Sequence, residues 1–178
     1  ISPNEQFLAL TETLTSADGK MYLYNQETGE KLDISEHEGD ATYSPQFFSL
    51  DNSYLYYTTD ENADFTYLAR RNLESGEVET VFETNWDVWY AYDSWNEKYR
   101  VIGINQDAQT VVKIIELATG KEVMLPEIEG GSIASVNISK SEKLARLTVS
   151  TSASPSNIYV YSITRPCKFY ILNGIQIP

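Results

Sequence analysis

The segment YNQETGEK at residues 24–31 returns in related form as RNLESGEV at 71–78 and as IELATGKE at 115–122. Each copy follows an apolar run and contains Thr-Gly or Ser-Gly ahead of a charged residue. The glycines of the three copies are 47 and 44 residues apart in the sequence. Self-similarity at such a period is typical of β-propeller blades and of helical solenoids.

The residues around these copies favour strands over helices. The apolar runs are short and rich in aromatic and β-branched residues, as in YLYYT at 54–58 and NIYVY at 157–161. Such runs suit strands, and no apolar spacing of three and four residues continues over the length of a helix. The Thr-Gly or Ser-Gly pair is then a hairpin turn in which glycine supplies a positive φ. The sequence therefore predicts an all-β repeat protein.

Alignment on the glycines predicts a β-propeller fragment of about four blades, each with four antiparallel strands, in which the first blade is incomplete. SPNE at 2–5 aligns with LDNS at 50–53, a turn between a first and a second strand. The first strand of the first blade is then missing, so we expect the chain to be a piece of a longer protein. The predicted propeller region is 1–163, with blades at 1–43, 44–90, 91–134 and 135–163.

Composition limits the classes of partner. With 178 residues, of which 42% are hydrophobic, the chain is typical of a globular protein. Its acidic net charge of −13 disfavours nucleic acid, because phosphates would be repelled. No stretch of about 18 apolar residues predicts a transmembrane helix, so we expect neither nucleic acid nor a membrane as partner. The single cysteine, Cys167, has no second cysteine with which to pair.

Catalytic and metal-binding patterns are missing from the sequence. His37 is the only histidine, and no G-x-S-x-G motif accompanies it, so we predict an exposed loop histidine without a catalytic role. DENAD at 60–64 begins like a calcium loop, but Phe65 stands where glycine is needed and Arg71 where a bidentate glutamate is needed. We therefore expect no catalytic residue, no metal and no cofactor in this chain.

Arg70 and Arg71 are the candidate substrate-contact residues. They are neighbours in a predicted strand, so their side chains point to opposite faces and one of them must meet a face that usually packs. An arginine that lines a central channel could bind a substrate carboxylate or carbonyl, and we place Arg70 ahead of Arg71 in that role. The other interpretation is a structural ion pair with a neighbour such as Asp87 or Asp64.

Several segments resemble one family. YLYNQETGEKLDISEHEGDATY at 22–43, WDV at 86–88 and SPSNIYVY at 154–161 resemble the N-terminal β-propeller of prolyl oligopeptidase family serine peptidases, over about 1–163. NGIQIP at 173–178 resembles the strand that opens the α/β-hydrolase domain of that family. Residues 164–178 are accordingly expected to be a divergent tail that leads into such a domain.

The resemblance implies a role in gating. In this family the propeller caps the active site and admits short, unfolded peptides, while an α/β-hydrolase domain carries out catalysis. The implied partners are such a hydrolase domain, which lies outside this chain, and short peptides. The resemblance favours a bacterial periplasmic or secreted location, with a cytoplasmic one as the open alternative. The alternative is a non-enzymatic, TolB-like scaffold or binding propeller. A metal-dependent lactonase propeller would need converging Asp, Asn or Glu ligands, which we do not find.

Overall fold

The structure is a computed structural model, and it describes residues 1–126, 131–151, 156–164 and 169–171. The chain divides into two compact units, residues 1–91 and 92–178.

All regular structure in the described residues is β, arranged as four antiparallel sheets with their strands in sequence order. The first sheet contains β1 (Phe7–Thr13), β2 (Gly19–Asn25) and β3 (Lys31–Asp33). The second contains β4 (Tyr43–Phe48), β5 (Tyr54–Thr59), β6 (Tyr67–Asn72) and β7 (Val78–Phe82). The third contains β8 (Asp87–Asp93), β9 (Tyr99–Gln106), β10 (Gln109–Glu116) and β11 (Lys121–Glu122). The fourth contains β12 (Gly131–Ile138), β13 (Leu144–Thr151), β14 (Asn157–Ser162) and β15 (Phe169–Ile171).

The predicted all-β fragment is confirmed, including its incomplete first blade, because the first sheet has three strands and the other three have four each. The last strand of the fourth sheet, β15, lies further along the chain than the sequence predicted. β15 pairs with β14 through Tyr161 and Phe169, so the fourth sheet continues beyond residue 163, where we had ended the blade. The NGIQIP segment at 173–178 lies outside the described residues.

The core of the first unit lies between the first and second sheets. Met21, Leu55 and Ala69 are fully buried there, and they pack in one cluster with Leu23, Ile34, Ala41, Tyr43 and Tyr57. Strand β5 is buried at every position from Leu55 to Thr59, so both of its faces are covered. This accounts for its near-continuous apolar run, because a strand with one solvated face would alternate.

The predicted glycine turns are confirmed. Gly29, Gly76 and Gly120 have φ values of 74°, 77° and 69°, and each lies in the turn between the last two strands of its sheet. The amide of each glycine donates to the carbonyl four residues earlier, at 2.9, 3.0 and 2.8 Å. In the first two turns an asparagine, Asn25 or Asn72, also accepts two backbone amides with its side chain. An asparagine side chain thus fixes the turn, and the glycine completes it.

The turn between first and second strands is also repeated, but the alignment above was wrong by one residue. The structure matches Ser2 with Ser49, because in both turns the amide three residues later donates to the serine carbonyl, at 2.9 and 3.0 Å. That donor has a positive φ of 61° in both turns, at Glu5 and at Asn52. The Ser49 hydroxyl also accepts the amides of Ser53 and Tyr54, so the serine organises the turn.

Side chains link these serine turns within each unit. In the first unit the Asn4 amide donates to the Asn52 side chain at 3.0 Å. In the second, the Glu142 carboxylate accepts the Asn96 amide at 2.8 Å and the Ser94 hydroxyl at 2.5 Å. Although burial opposes the charge, these hydrogen bonds lower the pKa of Glu142. The fourth residue of one turn therefore connects it to the preceding turn.

The outer strands of three sheets are short or charged. β3 has three residues and β11 has two, and both begin with a lysine. β7 has five residues, of which Val78, Glu79 and Thr80 are exposed.

In the described part of the chain, no helix is long and apolar enough to cross a membrane.

We predict that Leu55→Ala lowers the free energy of unfolding by about 2–5 kcal/mol, because the side chain is fully buried between two sheets. Urea unfolding followed by circular dichroism measures this change. Leu32→Ala is the matched control: Leu32 is 49% exposed, and its truncation should cost about 0.5 kcal/mol or less. Equal losses for the two variants would contradict the packing described here.

We predict that Gly120→Ala costs about 1–2 kcal/mol of folding stability because of its positive φ alone. A methyl group at this position would meet no heavy atom within 4 Å, so steric conflict is absent. Gly120→Asn should restore much of the loss, since asparagine tolerates this backbone region. Thermal unfolding of the three proteins tests this, and an alanine variant as stable as the parent would contradict it.

Candidate functional site: the Arg71 cleft

A cleft of about 470 Å³ opens beside the first and second sheets of the first unit, and we name it the Arg71 cleft. It contains one cationic residue, three glutamates, two tyrosines and several smaller residues. They are Ile34, Ser35, Glu36, Tyr57, Glu61, Asn62, Ala63, Tyr67, Arg71, Val78, Thr80 and Glu83. Its volume lies within the range of about 300–1,000 Å³ that is usual for ligand pockets.

Strand β6 places its two arginines on opposite faces. Arg70 binds the Glu79 carboxylate through Nε, donates to the Tyr56 hydroxyl at 3.2 Å, and lies 4.3 Å from the Tyr54 ring centroid. Its guanidinium is thus held by an acid and two aromatic side chains. The partner differs from the one expected: Arg70 pairs with Glu79 rather than with Asp87 or Asp64.

Arg71 lies on the face that looks towards the first sheet, in register with Leu55. Among the described residues its guanidinium makes no hydrogen bond and no ion pair, although the side chain is only partly exposed. It extends to the β6–β7 turn, where a methyl group on Gly76 would lie 3.0 Å from Arg71 Nη2. The glycine at this turn therefore leaves space for the arginine as well as adopting a positive φ.

Tyr57 lies in the same cleft and is the buried polar side chain that our sequence analysis missed. Only 3% of the residue is exposed, and its hydroxyl has no hydrogen-bond partner in the described part of the chain. Burial, followed by the neighbouring Tyr67 and then the Glu61 carboxylate, raises the pKa of Tyr57 to about 12, whereas the nearby Arg71 opposes the rise. The hydroxyl is therefore protonated at neutral pH and can donate a hydrogen bond.

The Glu61 segment positions one wall of the cleft. The Tyr43 hydroxyl donates to the Glu61 carboxylate at 3.0 Å, and the Tyr67 hydroxyl donates to the Glu61 carbonyl at 3.3 Å. Burial and the adjacent Glu61 carboxylate raise the pKa of Tyr43. Two tyrosines thus fix both the backbone and the side chain of Glu61, which leaves the acid at the rim of the cleft.

A second pocket, about 680 Å³ in volume, adjoins the first and shares Ser35, Glu36 and Asn62 with it. His37 lines this pocket, and its side chain is only 7% exposed, so the prediction of an exposed histidine was wrong. The imidazole packs against the Tyr43 ring with 5.4 Å between centroids. This burial could not be predicted from the local sequence, because SEHEGD at 35–40 contains no apolar residue.

The residues around His37 resemble a serine–histidine–aspartate triad in composition, but their geometry differs. Nδ1 of His37 lies 2.6 Å from the Ser35 carbonyl oxygen, and Nε2 lies 3.1 Å from Asp18 Oδ1. The Ser35 hydroxyl donates to Asp33 and accepts the Met21 amide, so it does not contact the imidazole. Two acceptors on one ring favour the doubly protonated imidazolium, and a general base needs a free ring nitrogen. The arrangement therefore stabilises a cation and offers no activated nucleophile.

The substrate-contact prediction for Arg70 and Arg71 has a new geometric context. β6 is the third strand of its sheet, two strands from β4, whereas our expectation had placed an arginine on a channel-facing strand. Arg70 is already engaged by Glu79 and Tyr56, and Arg71 opens onto a cleft. Substrate contact by either residue stays a prediction.

The described residues contain no group of three or more His, Cys, Asp or Glu side chains arranged to hold a metal ion.

Comparison with known proteins supports the fold. No family model matches the chain, and no curated protein matches it in sequence. A solved prolyl endopeptidase is similar over 96% of this chain, with 15% identity and a TM-score of 0.75. Prolyl oligopeptidase B from Galerina marginata, bound to a 25mer macrocyclization substrate, is similar over 97%, with 20% identity and a TM-score of 0.73. TolB from Acinetobacter baumannii is similar over 96%, with 19% identity and a TM-score of 0.68.

The chain has the β-propeller fold. It spans 25% of the length of each of the two prolyl peptidases and 41% of the length of TolB from Acinetobacter baumannii. The resemblance in sequence to a propeller domain is thereby confirmed as a partial propeller.

We predict that the His37 imidazole titrates above its usual pKa of about 6.5, because hydrogen bonds to the Ser35 carbonyl and the Asp18 carboxylate, with the charge of Glu61, favour the cation over the opposing effect of burial. The signal is unambiguous in proton NMR, since the chain has one histidine. Asp18→Asn should lower the midpoint.

The same shift has a consequence for stability. A pKa raised in the folded state stabilises the fold fully below pH 6.5, and this contribution disappears as the pH rises through the raised folded pKa. The difference in melting temperature between the parent and His37→Gln should therefore narrow from pH 5.5 to pH 8.5. A difference that widened over this range would contradict the geometry.

Proposed function

We propose that this chain is the non-catalytic part of a propeller that gates peptide access to a serine peptidase active site in another domain. The observation that carries the proposal is the similarity of the fold over 96–97% of the chain to two prolyl peptidases, with TM-scores of 0.75 and 0.73. The solved TolB from Acinetobacter baumannii gives 0.68 over the same share of the chain. One of the peptidases was solved with a 25mer macrocyclization substrate bound.

Gating has a simple physical basis in such an assembly. A propeller over an active site admits an extended peptide and excludes a folded domain, because the latter is too wide to enter. In this proposal each of the four sheets is a blade, the fourth of which includes β15, and the chain after β15 leads towards an α/β-hydrolase domain. Arg71 would contact the peptide because it opens onto the cleft, whereas Arg70 is already engaged by Glu79 and Tyr56. The absence of an activated nucleophile around His37 agrees with catalysis by a different domain.

The second candidate is a TolB-like scaffold or binding propeller without catalysis. The observation in its favour is that the chain covers a larger part of a TolB than of the prolyl peptidases. It covers 62% of the putative TolB from Agrobacterium tumefaciens, with a TM-score of 0.69, and 25% of each peptidase. The two candidates differ in chemistry: the peptidase needs an activated serine elsewhere in the parent protein, and the scaffold does not.

We predict that the parent protein that contains this chain reacts with a fluorophosphonate probe, because such probes label an activated serine. It should cleave chromogenic X-Pro or X-Ala peptides but leave a folded protein with the same site intact. The 178-residue chain alone is the control and should show no labelling and no cleavage above background. A parent protein that is neither labelled nor active would reject the peptidase role and favour the scaffold. A labelled parent that cleaved folded and short substrates equally would reject gating.

A further inference from the structure

Two groups in the Arg71 cleft lack partners that such groups normally have. A guanidinium carries five donors, and those of Arg71 meet no acceptor among the described residues. The Tyr57 hydroxyl also has no hydrogen-bond partner there, and because it is not one of the fully enclosed polar atoms of the described residues, it is accessible from the cleft. Both line the same cleft. An arginine and a tyrosine that both offer donors to one cavity are suited to bind a carboxylate.

The neighbouring residue on β6 shows that this lack of partners is specific. Arg70 is satisfied by Glu79, Tyr56 and Tyr54, although it differs from Arg71 by one position in the sequence. Glu83 and Glu36 line the cleft with Arg71, and neither forms an ion pair with it. The guanidinium instead extends to the Gly76 turn. The fold thus holds Arg71 away from the acids that surround it.

The acids restrict the kind of anion that fits. Glu36, Glu61 and Glu83 outnumber Arg71, so a simple anion such as phosphate would be repelled on approach. A ligand that also carries a positive charge avoids this repulsion, because its cation faces the glutamates while its carboxylate binds Arg71 and Tyr57. The apolar residues Ile34 and Val78 offer contact for an aliphatic stem.

We infer that the Arg71 cleft is a binding site for a short peptide that presents a carboxylate to Arg71 and Tyr57 and a cationic group to Glu36 and Glu83. The choice of a peptide rests on the proposed function, whereas the carboxylate and cation rest on the cleft itself. The carboxylate can come from the C-terminus or from an acidic side chain, and the experiment distinguishes these sources.

The test is calorimetric titration of the full chain with three peptides. Ala-Lys-Ala with a free C-terminus carries a terminal carboxylate and a cation, Ala-Lys-Ala amide lacks the carboxylate, and Ala-Lys-Asp amide carries it on a side chain. We expect the first to bind about tenfold or more tightly than the second, the scale of a charge-assisted hydrogen bond. Binding of the third as tight as that of the first would show that the cleft accepts a carboxylate from either source, and weak binding of the third would assign the carboxylate to the C-terminus. Equal affinity for the first two peptides would overturn the inference.

Variants locate the binding in the cleft. Arg71→Met should weaken Ala-Lys-Ala by about tenfold or more, and Tyr57→Phe by about fivefold, for loss of one hydrogen bond. Arg71→Lys keeps the charge but lacks the two-pronged geometry, so its affinity should be intermediate. Arg70→Met is the matched control, because Arg70 is on the opposite face of β6. It should bind as the parent does. A loss for Arg70→Met equal to that for Arg71→Met, or no loss for the two cleft variants, would overturn the site.

The peptide-binding test and the test of the proposed function can fail independently of each other. Binding requires no catalysis. If the parent protein is not labelled by the fluorophosphonate probe but the chain binds the free acid more tightly than the amide, the inference about the Arg71 cleft still stands. Conversely, the parent protein could be labelled and could exclude folded substrates while the chain binds the free acid and the amide equally. That result would support the proposed function and reject the Arg71 cleft as a carboxylate-binding site. Melting temperatures complete the test, because a structural role predicts a large fall for Arg71→Met and for Tyr57→Phe, whereas a ligand site predicts little change without peptide.

Discussion

The structure depends on burying both faces of β5 and β9, the second strands of the second and third sheets. Strand β5 has no exposed position between Leu55 and Thr59, so its sheet needs cover on each side. In the first unit the first sheet supplies one cover through Met21, Leu23 and Ile34. Apolar burial of this kind contributes about 25 cal/mol per Å², and it sets where each following strand must lie. The turns and clefts then occupy the positions that this packing leaves at the ends of the strands.

The strands and the glycine turns could be predicted because their determinants are local. A run such as YLYYT favours the extended backbone of a strand. At the positive φ of Gly76, few residue types other than glycine are free of strain. The serine turn was one residue out of register because its determinant is a hydrogen bond from a backbone amide to Ser49, which composition does not reveal. Asn72 was likewise missed, although asparagine four residues ahead of glycine was a usable signal.

The candidate site was less predictable, since it depends on where side chains meet after folding. The alternation of Arg70 and Arg71 followed from strand geometry alone. That Arg70 would find Glu79, and that Arg71 would find no acid, depends on the register between β6 and β7. His37 was placed on the surface because its neighbours in sequence are polar. Its actual neighbours, Tyr43 and Asp18, come from a different strand and a different loop.

The outer strands have a consequence for colloidal behaviour. An open sheet edge offers free amides and carbonyls to any other extended chain, which is the first step of fibril growth. β3 and β11 are only three and two residues long, and β7 carries Glu79 on an exposed stretch. Such edges give an incoming strand few hydrogen bonds and a like-charged surface, since the chain as a whole carries a charge of −13. A repeat architecture multiplies its edges with every sheet, and short, charged outer strands allow this multiplication without turning each sheet into a template for aggregation.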